Sequence, residues 1–137
     1  MNRNADIVIA GKRYPMRCSI GATIAISERY GSIKEMADKV SSGAEHEMLH
    51  EITWIAELLI RQGCEYKNVF EPNCPVADDA PVQDGKYVPV TAGEIALAMT
   101  MADMENLKEA VLWAVVGGRR QNVQTEKDAD PKNAETT

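Results

Sequence analysis

The sequence predicts an α+β domain, mostly helical, with an N-terminal β-hairpin packed on about four helices and a polar tail at the C-terminus. Three observations carry that reading. Residues 5–18 alternate in polarity around a glycine turn. Beyond residue 18, most of the chain has apolar residues at helical spacing between capping signals. The last stretch, 119–137, holds a single valine among charged and polar residues. A length of 137 residues suits one domain, spanning 1–118.

In the hairpin, Tyr14, Met16 and Cys18 alternate with Arg13, Pro15 and Arg17, which gives one buried and one wet face. Gly11-Lys12 reads as the two-residue link of a type II′ turn. Pro15 has no N–H for a ladder, so its strand is expected at an edge. Ser19 can cap a helix over 20–30, with Ile20, Ile24 and Ile26 as its apolar contacts and Gly31 as its stop. Ser32-Ile33-Lys34-Glu35 has capping-box spacing and opens a helix over 32–41, broken by Ser41-Ser42-Gly43.

The most periodic helix is 45–63. Met48, Ile52, Ile55 and Leu59 form its stripe, with Leu49 and Ala56 at the margin and Gly63 as the expected stop. Residues 64–90 hold four of the six prolines and read as an irregular excursion packed by Tyr66, Val69, Phe70 and Tyr87. Thr91-Ala92-Gly93-Glu94 is a second capping box. It opens a helix over 91–117 whose stripe is Leu97, Met101, Met104, Val111 and Val115.

Composition narrows the function classes. A net charge of -6 argues against sequence-independent nucleic-acid binding. No run approaches the ~20 apolar residues of a membrane span, and the N-terminus lacks a signal-peptide pattern. Three cysteines, Cys18, Cys64 and Cys74, with no close pair fit reduced thiols in a cytosol.

One string looks like chemistry. His46-Glu47-Met48-Leu49-His50 matches the H-E-x-x-H pattern, in which two histidines a helical turn apart hold zinc and the glutamate activates a bound water. The elongated form of that motif would place Gly at 53 and His at 56, where this chain has Thr53 and Ala56. A third ligand would have to come from Cys64, Glu65, Glu71 or Cys74. The alternative to a zinc hydrolase is that His46 and His50 are solvated residues on the polar face of their helix. Cys64 and Cys74 are spaced too far apart for a structural zinc pair. Residues 24–40 have the outline of a helix-turn-helix, but Lys34 and Lys39 are offset by Glu35 and Asp38.

Met101 and Met104, with Met99 nearby, either fill the core or form an adaptable surface for partner helices. Trp54 and Trp113 lie off the main stripes of their helices. They must be covered by the hairpin and excursion or by another chain, so a homo-oligomer is one reading.

Taken together, Ile7, Ile9, Gly11, Lys12, Tyr14, Pro15 and Met16, followed by Glu28, Arg29, Tyr30, Gly31 and Ser32, resemble the tail assembly chaperones of long-tailed phages and prophages of Gram-positive bacteria. The resemblance is carried by the first third of the chain and, beyond it, by helical layout. It implies a non-enzymatic protein of the host cytoplasm, with no catalytic residue and no cofactor. Such a protein binds the tape measure protein and keeps it soluble until tail tube protein assembles around it. The Met101/Met104 helix, with Trp113 and Trp54, is then the expected contact surface. A small oligomeric adaptor of another partner is the remaining alternative.

Overall fold

A helix of 26 residues, Glu45–Phe70, runs through the middle of the domain, about 39 Å from end to end. In the computed structural model, which describes residues 5–117, every other helix and the N-terminal hairpin pack against it. The fold is α+β and mostly α. In chain order it comprises β1 (Ala5–Ile9), β2 (Lys12–Met16), α1 (Ile20–Tyr30), α2 (Ile33–Ser41), α3 (Glu45–Phe70), β3 (Val82–Gln83), β4 (Lys86–Tyr87), α4 (Ala92–Ala98) and α5 (Met101–Leu112). A π-turn, Trp113–Gly117, closes α5. The polar tail predicted over 119–137 lies outside the described residues.

The hairpin pairs Ile9 with Lys12, so its two-residue loop is Ala10-Gly11, one position earlier than Gly11-Lys12. Both loop residues have positive φ, 51° and 81°, which makes a type I′ turn in place of the expected II′. Ala5, Ile7 and Ile9 point inward while Asp6 and Val8 face solvent. The edge expected at Pro15 is there, because among the described residues the sheet has two strands. Past Met16 the chain bonds to α3 instead, Arg17 N–H donating to the Leu59 carbonyl at 3.0 Å.

That docking explains the largest departure from expectation. Gly63 does not end α3; it lies inside it, and a Cβ there would collide with the Pro15 carbonyl. The glycine is a point of close approach between helix and strand. The helix continues to Phe70, so the irregular excursion begins at 71 and not at 64. Because α3 is surrounded, its middle is buried nearly all round: Ile55, Ala56, Leu59 and Ile60 are fully inaccessible, and Leu58 nearly so.

The excursion itself is pinned at two places. Arg13 of β2 donates its N–H to the Asp79 carbonyl at 2.8 Å, and its guanidinium pairs with the Asp79 carboxylate at 3.1 Å. Asn68 of α3 offers its amide to the backbone of Tyr87 in both directions, at 3.0 and 2.9 Å, as a neighbouring strand would. The small β3–β4 hairpin held this way turns on Asp84-Gly85, again with positive φ at both. Of the four residues expected to pack the excursion, Tyr66 and Tyr87 are half-buried. Val69 and Phe70 are exposed, because they sit on the solvent side of the last turn of α3.

Ser19, Ser32 and Thr91 cap α1, α2 and α4 as their spacing predicts. In α1, however, only Ala22 and Ile26 are buried; Ile20 and Ile24 face solvent. Small Ala22 lets α1 lie close on the core, and the isoleucines fall on the side turned away from it. Residues 91–117 form two helices and not one. The break is at Met99-Thr100, where the Asp103 carboxylate accepts from the Thr100 N–H at 2.9 Å and starts a new helix. The predicted stripe breaks with it. Val111 and Val115 of the stripe are buried, with Leu107 beside them, while Leu97 and Met101 face outward.

Candidate functional site

The break between α4 and α5 makes a groove. Short α4 approaches the outer side of α3 through Ile95, and α5 leaves at an angle from the Met99-Thr100 corner. The space enclosed, about 220 Å³, is lined by Leu49 and Thr53 of α3 with Ile95, Met99, Met101 and Met104. Three unbranched thioether side chains can re-pack around an apolar guest at little cost. Met101, which lines this space, is 59% exposed, so the groove opens to solvent there.

Of the residues singled out from the sequence, the structure brings together Met101 and Met104. It adds Met99, Leu49 and Ile95, whose convergence depends on the α4–α5 corner. The two tryptophans are elsewhere. Trp113 is 49% exposed in the π-turn at the far end of α5. Trp54 is covered by the end of α1, and not by the hairpin and excursion. The Tyr30 ring meets it edge-on at 6.1 Å and the Arg29 guanidinium lies over it at 4.3 Å.

His46 and His50 are both exposed at the start of α3. Three of the third ligands considered from the sequence are far from them. Cys64, Glu65 and Glu71 lie at the other end of the same helix, about 20 Å or more along its axis. Cys64 is also buried, which pushes its thiol pKa up to about 12. Among the described residues no three His, Cys, Asp or Glu side chains stand together in a way that could hold a metal ion. The arrangement needed for zinc-assisted hydrolysis is therefore not assembled by these residues.

No family model matches this chain, nor does any curated protein or solved structure. Among the described residues, no helix is long and apolar enough to cross a membrane.

A larger cleft, about 680 Å³, opens between α1, α2 and α3, and its walls include Arg29, Glu35, Asp38, Lys39, Glu47 and Glu51. It is roomier than the groove, but its central groups already satisfy one another. The Tyr30 hydroxyl donates to Glu51, and Arg29 pairs with the same carboxylate at 3.2 Å. Burial and the neighbouring carboxylate push the Tyr30 hydroxyl up, so it stays protonated and remains a donor. For Glu51, burial acts upward too. The hydrogen bonds from Tyr30 and Arg29, with the charges of Arg29 and Lys39, outweigh it and hold the carboxyl below its usual range. This cluster clamps α1 onto α3.

The sign of its pH dependence follows from the lowered Glu51 value. The stabilisation is present above about pH 4.5, the ordinary carboxylate value, and is lost as pH falls through the folded one. Tyr30→Phe should cost about 1–2 kcal/mol at pH 7. It should also flatten the fall in stability as pH drops below about 4.5, measured by urea unfolding at each pH. An unchanged acid limb in the variant would mean that Tyr30 does not set the Glu51 titration.

Proposed function

We propose that this protein is a stoichiometric assembly chaperone of a long phage tail, acting in the bacterial cytoplasm. It seats apolar helical stretches of the tape measure protein in the groove between α3, α4 and α5 until tail tube protein encloses them. The observation that carries this reading is the methionine-lined groove among Leu49, Ile95, Met99, Met101 and Met104, open to solvent at Met101. An assembly chaperone must hold its client reversibly and tolerate varied apolar side chains; flexible thioethers suit both needs. The hairpin and α1 residues that resemble the tail chaperones support the same assignment. Trp113 offers a separate apolar contact beyond the groove, whereas Trp54 is occupied within the fold.

Co-expression tests it. A tape measure protein from the neighbouring reading frames should be soluble with this chain and aggregate without it. Met101→Ser combined with Met104→Ser should remove most of that rescue. Its melting temperature should stay within a few degrees of the parent, because both side chains are already partly exposed. Solubility independent of this chain would overturn the proposal.

A further inference from the structure

The charges around the groove are strongly one-sided. Within 45–61 of α3 and 92–112 of α4 and α5 there are eight carboxylates against one arginine, Arg61, which lies 3.9 Å from Glu57, and one lysine. Two of the eight, Glu47 and Glu51, line the cleft toward α2. The others border the elements of the groove. Glu45 stands one helical turn before Leu49, and Glu57 one turn after Thr53. Glu105 stands one turn after Met101, and Asp103 sits on Thr100 at the corner. The one lysine, Lys108, is 4.0 Å from Glu105.

From this we infer that the occupant of the groove is an amphipathic helix whose apolar stripe is flanked by lysine or arginine. The inference rests on the groove being the client's seat, and it names which helices that seat accepts. An apolar stripe fills the space among Leu49, Ile95, Met99, Met101 and Met104. Basic flanks would then meet the carboxylates one helical turn from the lining residues, Glu45 next to Leu49 and Glu105 next to Met101. Acidic flanks would meet like charge at both, which selects against them. The same repulsion disfavours a second copy of this chain, which brings the same rim and a net charge of -6. Selection by charge also gives fast capture, since an acidic surround steers a basic segment toward it.

Two synthetic helices of about 18 residues, roughly five turns, test this on the full chain. They share one leucine stripe; one carries lysine on its flanks and the other glutamate. Titration calorimetry should show the lysine helix binding about tenfold or more tightly at ~20 mM salt. The gap should narrow as salt rises toward ~0.5 M. Glu45→Gln with Glu105→Gln should weaken the lysine helix about three- to tenfold and leave the glutamate helix no weaker. Met101→Ser with Met104→Ser should weaken both. Equal affinity for the two helices, both lost in the methionine variant, would overturn the charge inference while leaving the groove as the seat. Binding indifferent to the methionine variant would overturn both. A lysine peptide without the stripe that binds as tightly would also sink the inference.

Discussion

Replacing Gly63 by alanine is expected to destabilise the protein by about 2–4 kcal/mol. That is opposite in sign to the usual effect inside a helix, where alanine is better than glycine by about 0.5–1 kcal/mol. The difference comes from what a methyl group at this position would meet. Its nearest neighbours are the carbonyl of Pro15 and the amide nitrogen of Met16, backbone atoms that cannot rotate aside. Either the β1–β2 hairpin lifts from α3 or the helix bends. Both would disturb the bond from Arg17 N–H to the Leu59 carbonyl and the burial of Met16. The melting temperature should fall by roughly 10 °C. Gly93→Ala is the control. It lies in the first turn of α4, exposed, with nothing closer than the Thr91 hydroxyl at 3.8 Å. Alanine there should stabilise by about 0.5 kcal/mol, mainly by restricting the unfolded chain. If both substitutions stabilise, the hairpin does not dock where the structure places it.

Gly63 also shows where a sequence is legible and where it is not. Side-chain caps are local, a hydroxyl and an N–H three residues apart, so Ser19, Ser32 and Thr91 could be read directly. A glycine at the end of an apolar run has two readings, a helix stop or a close approach, and only the position of Pro15 separates them. The hairpin loop slipped by one residue for a similar reason. Gly11 has positive φ in either turn type, and the register is set by which pairs seal the core.

The candidate site was half legible. Met101 and Met104 could be picked out, but not what they face. The unread signal was Thr100-Met101-Ala102-Asp103, an equally local cap in which the Asp103 carboxylate accepts from the Thr100 N–H and hydroxyl, hidden inside a run that looked like one continuous helix. Once that cap divides α4 from α5, Ile95 and Met99 turn toward Leu49 and the groove exists. Asp84-Gly85, the turn of the small hairpin, was a second unread signal of this local kind.

The same division predicts opposite outcomes for two leucines that look alike in sequence. Leu59→Ala should cost about 2–5 kcal/mol. Leu59 is fully inaccessible in the part of α3 where the hairpin strand docks, so little can collapse into the space it leaves. Leu97, which a single 91–117 helix would have put on the buried stripe, is 87% exposed on α4. Leu97→Ala should therefore change stability by less than about 0.5 kcal/mol. Urea denaturation of the two variants at pH 7 reads both values, and the unfolding slope should be unchanged in each. A cost above about 2 kcal/mol at Leu97 would mean that α4 and α5 form one straight helix with that side chain inside. The groove would then not exist, and with it would go the seat proposed for the client helix. Stability at Leu97 thus tests the functional proposal without any partner present.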